Sequence, residues 1–354
     1  MAVIAMLPDP PVVMRPGRAF EEFPGSPWRW LALPAWMLWR PLVRARDAAF
    51  DLGLRKPAKL AAPVISVGNL AVGGTGKTPV VRLLAGMCRE LGAKPAVLSR
   101  GFRAGADGRN DEAGLFGDVP VVCDPSRRRG GEAALAAGAD CLILDDGFQH
   151  RQVHRDLDIV LIDATRALGM TLPLGWLREG PAALRRAGLI WVTRSELVAP
   201  EICAELLKKL RGFGVPVVVD RMEAATLALL NGDRALDQPG QPVSVLAGIP
   251  IILASGLGNP LGFERTAVRA GLSVQSAWRF PDHHHYSKAD VEALRAAAKA
   301  ADAAVVVTAK DAVKISGIFG DFTGRGMWVL RAGHGLDAAA SGVVLGMVAK
   351  SLGR

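Results

Sequence analysis

Between Gly68 and Val81 the chain reads GNLAVGGTGKTPVV. Gly73, Gly74 and Gly76 carry no Cβ, so their backbone N–H groups can approach anionic oxygens without obstruction. Thr75 lies among them. Lys77 follows at once with a cation that reaches β- and γ-phosphate oxygens, and the Thr78 hydroxyl is a hard oxygen ligand suited to Mg²⁺. Pro79 is tolerated because the first turn of a helix has N–H groups to spare. The first glycine of the common GxxxxGK[ST] pattern falls at Ala71, and the phosphate-facing half is intact. PVISV before the loop reads as a strand and TPVVRLLAGM after it as a helix, the setting of a P-loop.

A second chemical signal is CLILDDGFQH, residues 141–150. It ends an apolar strand with two adjacent carboxylates, Asp145 and Asp146. An acid at a strand's carboxyl end, downstream of a P-loop, is the expected second anchor for Mg²⁺. In open α/β sheets ligands gather at that edge. Arg100, Arg103 and the run Arg127, Arg128, Arg129 are candidates for phosphate contacts or for a solvated basic face. The run His283, His284, His285 does not read as a metal site. Three successive side chains cannot converge from a strand or helix, and neither Cys nor HxxxH accompanies them.

These residues need a scaffold, and the chain from residue 63 supplies it. PVISV, PAVLS, VPVVC, DCLILDD, LDIVLID, GLIWVTR and VPVVVD read as buried strands, rich in Val, Ile and Leu. Val80, Leu83, Leu84, Met87 and Leu91 repeat at helical spacing, with Gly92 as a stop. Such βαβ alternation predicts a mostly parallel sheet covered by helices. The turn-rich NGDRALDQPGQP marks a break. VSVLAG, a helix around residues 260–270, KADVEALRAAAKA, AAVVVTAKD and GMWVLRA then resume as strand-like and helical segments. The expected organisation is an N-terminal segment, 1–50, a P-loop domain, 51–225, and a smaller C-terminal α/β domain, 243–354.

The 354 residues suit two domains. The net charge of +9 favours an anionic partner: nucleic acid, an acidic membrane or a phosphorylated substrate. Nucleic acid is disfavoured, because the few aromatics cluster near the N-terminus and do not interleave with a basic stripe. Four cysteines without a CxxC pair indicate neither a disulfide framework nor a zinc site, and fit a reducing compartment. The start of the chain lacks the pattern of a cleaved signal peptide. Ser26–Phe50 mixes Trp28, Trp30, Trp36 and Trp39 with Arg29, Arg40, Arg44 and Arg46. Its uncharged run is far short of the roughly 20 residues that span a bilayer. That composition suits an amphipathic helix lying in the headgroup region of an anionic membrane surface. The uncharged stretch 238–263 is broken by prolines and glycines, and its apolar part reads as a buried strand and turn.

ISVGNLAVGGTGKTPVV, LSRGF, LDDGFQH, LPLGWLREGP, SGLGNP, FPDHHHYS and TAKDAVK occur in one order from about residue 25 to about residue 330. Together they closely resemble the tetraacyldisaccharide 4′-kinase family of lipid A biosynthesis. The resemblance implies a P-loop kinase on the cytoplasmic face of the bacterial inner membrane. It implies transfer of the γ-phosphate of ATP, with Mg²⁺, to the 4′-hydroxyl of a tetraacylated disaccharide 1-phosphate lipid, forming lipid IVA. By the same resemblance Thr75, Lys77 and Thr78 contact nucleotide and metal, and Asp145 and Asp146 bind metal. Gln149 and His150 complete that motif, and Arg178 and Glu179 match an Arg-Glu pair important for function. Asp111, in GRNDEAG, would activate the acceptor hydroxyl with His283. Chemistry agrees, since a sugar hydroxyl does not ionise alone and a carboxylate oriented by histidine is a suitable proton acceptor. The alternative is a P-loop ATPase switch without a lipid acceptor, which leaves the His283 segment and the Trp/Arg N-terminus unexplained.

Overall fold

The computed structural model describes residues 12–14, 27–100, 116, 118–230, 239–282, 284–318, 322 and 324–354. Strand β1 (Val12–Met14) and a 3-10 turn (Pro27–Ala32) precede helix α1 (Leu33–Asp51). There follow β2 (Val64–Asn69), α2 (Lys77–Glu90), β3 (Pro95–Ser99), β4 (Val121–Cys123), α3 (Arg127–Ala136), β5 (Cys141–Asp145) and β6 (Leu157–Asp163). Next come β7 (Leu189–Thr193), α4 (Pro200–Arg211), β8 (Val217–Val219), β9 (Arg221–Leu229) and β10 (Gln241–Pro242). The remainder is β11 (Pro250–Ser255), α5 (Pro260–Arg269), β12 (Ser273–Arg279), α6 (Lys288–Ala300), β13 (Ala304–Thr308), α7 (Ala309–Ser316), β14 (Met327–Gly335) and α8 (Ala338–Ser351).

The chain forms two compact units: 22–222 with 334–354, and 1–21 with 223–333. The larger holds a seven-stranded sheet in the order β4-β3-β5-β2-β6-β7-β8, parallel at every pairing. Strands β2, β3, β6 and β7 are buried at every position, as a sheet covered on both faces requires. Leu142 and Leu144 of β5 pack with Val64 and with Ala134 of α3. Val160, Ile162, Ile190 and Val192 pack with Leu206 and Leu210 of α4. Helices α2 and α8 pack against β2, and α8 also against α2 and β6. All seven strands expected in this region form.

The smaller unit carries a second seven-stranded sheet, β1-β12-β11-β13-β14-β9-β10. Its central pairings β12/β11, β11/β13 and β13/β14 are parallel, and β9/β10 is antiparallel. A buried ion pair, Arg279 to Glu264 at 2.7 and 2.8 Å, ties β12 to α5.

Three sequence expectations change. Residues 334–354, assigned to the C-terminal domain, belong to the P-loop unit because α8 packs on α2, β2 and β6. Val12–Met14, assigned to the N-terminal segment, pairs in parallel with β12 of the smaller unit. VSVLAG forms a 3-10 turn over Val243–Leu246, and the strand begins at Pro250, beyond Gly248 in a left-handed turn with φ 75°. The β-branched Val243 and Val245 and the apolar Leu246 suit a strand, which hid the turn.

Candidate active site

The site grows from the carboxyl ends of β2 and β5, which are hydrogen-bonded neighbours with Val67 opposite Asp145. Beyond Asn69 the chain turns through the glycine loop. Gly73 and Gly76 adopt φ of 99° and 85°, which only glycine reaches without strain. Gly76 caps α2, and no side-chain hydrogen bond caps that end of the helix. The first-turn N–H groups and the positive end of the helix dipole therefore remain suited to an anion.

The loop is held on several sides. Asn69 Nδ2 donates to Thr75 Oγ1 at 2.9 Å, and Thr193 Oγ1 donates to the Thr75 carbonyl at 3.2 Å. Arg194 Nη1 donates to the Gly74 carbonyl at 3.0 Å. Val72 N–H donates to Trp176 O at 2.8 Å, and Arg178 N–H to Leu70 O at 2.7 Å. Those last bonds lay residues 176–178 along the loop's first half and bring the Arg178 side chain to the site.

The acidic turn is pressed onto β2. A Cβ on Gly68 would fall 2.5 Å from Phe148 Cβ, and one on Gly147 would fall 2.6 Å from Ser66 Oγ. Gly147 N–H donates to Val67 O at 3.1 Å, and Arg127 Nη2 donates to Asp145 O at 3.1 Å. Asp146 sits in the left-handed region with φ 55°. Lys77 Nζ lies 3.1 Å from its Oδ1 and Arg178 Nη1 lies 2.7 Å from its Oδ2. Burial alone would raise the pKa of this carboxyl. The charges of Lys77 and Arg178 outweigh it and hold the group well below the usual carboxylate range.

The structure thus gathers Lys77 and Arg178 around the Asp146 carboxylate. Gln149 has a different duty: its Nε2 donates to Asn69 O at 2.8 Å, joining the acidic turn to the start of the loop. His150 is pushed toward the neutral form, first by burial and then by the charges of Arg127, Arg155 and Arg100. Glu179 is buried and turns to Arg186 at 2.7 Å and Arg46 at 3.4 Å. Adjacent residues Arg178 and Glu179 therefore serve separate ion pairs. Of the candidate phosphate-binding arginines, Arg128 and Arg129 pair locally with Glu132 and Asp124. Asp111, Arg103 and His283 lie outside the described residues.

In the smaller unit the residues following His283 are engaged individually. His284 stacks on Phe280 with ring centroids 4.8 Å apart, and its Nε2 lies 3.1 Å from Asp290 Oδ2. Tyr286 is buried with its ring centroid 4.9 Å from that of Phe280. SGLGNP and TAKDAVK meet through Asp311, which accepts from Gly256 N–H at 3.1 Å and from Thr308 Oγ1 at 2.6 Å. Complete burial raises the pKa of Asp311, against hydrogen bonding and nearby lysines.

Sequence reasoning missed Asn69, Asp163, Thr193 and Arg194. Each stands at or just beyond the carboxyl end of β2, β6 or β7, the edge where an open sheet assembles its site. A polar residue closing an apolar strand was the signal available.

As for a metal, Thr78, Asp145 and Asp146 offer one hydroxyl and two carboxylates. Mg²⁺ takes hard oxygen ligands and commonly combines one or two carboxylates with phosphate oxygens. The depressed Asp146 carboxyl stays ionised, so the donor set fits.

The model of the tetraacyldisaccharide-1-P 4′-kinase family, LpxK, matches residues 28–347. The tetraacyldisaccharide 4′-kinase of Anaeromyxobacter dehalogenans (strain 2CP-C) is 40% identical over 316 residues, covering 82% of each chain. That of Geobacter sulfurreducens is 38% identical over 312 residues, covering 81% of this chain and 84% of the relative. Among solved structures, the "apo" form of LpxK from Aquifex aeolicus in complex with ATP superposes with a TM-score of 0.67 at 28% identity. That match covers 92% of this chain and 99% of the other. The chain belongs to the tetraacyldisaccharide-1-P 4′-kinase family.

Proposed function

We propose that the protein transfers the γ-phosphate of ATP to the 4′-hydroxyl of tetraacyldisaccharide 1-phosphate, forming lipid IVA. The observation that carries this reading is the convergence of Lys77 and Arg178 on Asp146 beside the glycine loop, in a chain matched to the family over residues 28–347. Gly73 to Lys77 cradle the triphosphate with backbone N–H groups and the α2 dipole. Lys77 and Arg178 are cations whose partner, Asp146, a γ-phosphate would replace. Phosphoryl transfer needs chiefly positioning and charge neutralisation, and two cations on one side of the transferring group supply both.

Thr78, Asp145 and Asp146 would hold Mg²⁺, which supplies neutralisation of charge on the β- and γ-oxygens. Gln149 fixes the acidic turn against Asn69 and so keeps those carboxylates in register with the loop. By the family resemblance, Asp111 and His283 handle the proton of the acceptor hydroxyl.

Helix α1 supports a membrane role. Trp36 Nε1 donates to Thr171 Oγ1 at 2.7 Å. Arg151 bonds Asp47 O at 3.0 Å and Asp51 at 2.7 Å, and lies over the Phe50 ring. One side of the helix is thereby tied to the P-loop unit. Met37, Leu38 and Leu42 of the helix are exposed by 62, 74 and 64%, and Leu31 of the preceding 3-10 turn by 74%. Among the described residues no helix is long and apolar enough to cross a membrane. An apolar stripe of this kind suits shallow insertion beneath anionic headgroups, at the cytoplasmic face of the inner membrane where an acylated substrate would reside.

The test is transfer of label from γ-³²P-ATP to tetraacyldisaccharide 1-phosphate in detergent micelles with Mg²⁺. Label in the lipid at the 4′ position supports the kinase. Label released only as free phosphate supports an ATPase switch.

A further inference from the structure

Among the described residues of the P-loop unit, two that are not glycine, Asp146 and Arg194, hold a left-handed backbone, with φ of 55° and 58°. Such a conformation is strained and persists only where its surroundings over-determine it, which happens preferentially at functional sites. Asp146 is accounted for by its ion pairs. Arg194 lies directly after β7, beyond the residues to which the P-loop reading assigns a role.

Its surroundings show what the turn does. The same nitrogen, Nη1, donates to the Gly74 carbonyl and to the Asp163 carboxylate. Asp163 ends β6 opposite Thr193 of β7, and is itself fixed by Thr165, whose N–H and Oγ1 donate to Oδ1 at 3.0 and 2.6 Å. Asp163 is almost wholly buried and Arg194 largely so. The neighbouring Thr193 hydroxyl holds the next loop carbonyl, that of Thr75. Two consecutive carbonyls of the glycine loop are thus drawn toward the ends of β6 and β7. Peptide planes are rigid. A carbonyl pulled one way orients the N–H of the following residue the other way, so bonds at Gly74 O and Thr75 O set the N–H directions of Thr75 and Gly76. Those N–H groups are the donors that a phosphate-binding loop uses.

We propose that Arg194 is a positioning residue for nucleotide phosphate, acting through the Gly74 carbonyl, with Asp163 as its orienting counter-ion and Thr193 as its companion. The proposal rests on the P-loop reading given above and adds to it a specific device. The glycines make the loop pliable, and the Asp163–Arg194 pair restricts it to the phosphate-accepting shape. Arg194 holds its left-handed backbone while its guanidinium bonds the Gly74 carbonyl.

The test measures the Kd of a fluorescent ATP analogue, without lipid, for wild type, Arg194→Ala, Arg194→Lys and Thr193→Val, with melting temperatures alongside. Steady-state KM values for ATP and lipid complete the set. Loss of a charged hydrogen bond predicts roughly a ten- to hundredfold rise in nucleotide Kd for Arg194→Ala. The KM for ATP should rise with it while the KM for lipid stays put. Arg194→Lys, whose ammonium can serve both acceptors from one nitrogen, should recover most of the affinity. Thr193→Val, which leaves the buried Asp163 pair intact, should weaken nucleotide binding with little change in melting temperature. Wild-type Kd values in both Arg194→Ala and Thr193→Val would overturn the proposal. So would equal losses in ATP and lipid affinity that follow a lowered melting temperature. The binding arm contains no lipid, so failure of the acceptor assignment would appear only in the transfer assay and is distinguishable.

Discussion

Lys77 and Arg178 approach opposite oxygens of one carboxylate, that of Asp146, at 3.1 and 2.7 Å. One comes from the first turn of α2 and the other from the segment bonded along the loop's first half. The two cations therefore converge on a single carboxylate beside the glycine loop. Replacing Lys77 by Ala should lower kcat by about 10²–10³-fold, the usual effect of losing one preorganised charge-stabilising donor. Arg178→Ala should act in the same direction. Single-turnover assays at saturating ATP would show this, and unchanged turnover in Lys77→Ala would remove the residue from the chemistry.

The depressed pKa of Asp146 fixes a pH dependence. Its folded value lies below that of the unfolded chain, about 3.9. The stability it contributes is then fully present above that value and lost as pH falls through the folded value. Wild type and Asp146→Asn should differ in denaturant stability by a constant amount from pH 5 to 8, and converge only in stronger acid. His150 has the same sign at higher pH. Its pKa is lowered, so its contribution is complete above about 6.5 and fades as pH falls below that. A His150→Gln variant should lose that part of the acid sensitivity.

Gly68 has no room for a methyl group, because its Cβ would lie 2.5 Å from Phe148 Cβ and 2.6 Å from Phe148 N. Gly68→Ala should destabilise the fold by about 1–3 kcal/mol, the range for overpacking a core. Because Phe148 follows the acidic pair, the same variant should weaken Mg²⁺-dependent activity. Urea melts and Mg²⁺ titrations measure the two effects separately.

The outward face of α1 predicts a separation of membrane binding from nucleotide binding. Leu38→Ser with Leu42→Ser should reduce co-sedimentation with vesicles containing anionic lipid, while the Kd for ATP stays at the wild-type value. Equal sedimentation of wild type and variant would remove this face from the membrane contact.

Much of this was legible in the chain before folding was considered. The P-loop strands announce themselves because a sheet buried on both faces needs unbroken Val, Ile and Leu runs, and the glycine loop and acidic pair sit at their ends. Strand β9 was hidden because RMEAATLAL mixes charged and small residues with apolar ones and abuts a turn-rich stretch. Helix α8 escaped because AAASGVVLGMVAKS lacks a sided apolar pattern. Its return to the first sheet is a tertiary fact that periodicity does not encode. The meeting of Asp163 and Arg194 at the glycine loop was not legible for a similar reason, although each closes or follows an apolar strand. LDIVLID and GLIWVTR read only as buried strands, and nothing in either segment says that β6 and β7 lie side by side.

The most direct measurement is label transfer from γ-³²P-ATP with Mg²⁺ to tetraacyldisaccharide 1-phosphate in micelles, for wild type, Lys77→Ala and Asp146→Asn. The structure and its family membership predict label on the lipid's 4′ position in wild type and its near-complete loss in both variants. Label appearing only as free phosphate, with or without lipid, would contradict a kinase and leave the glycine loop serving hydrolysis.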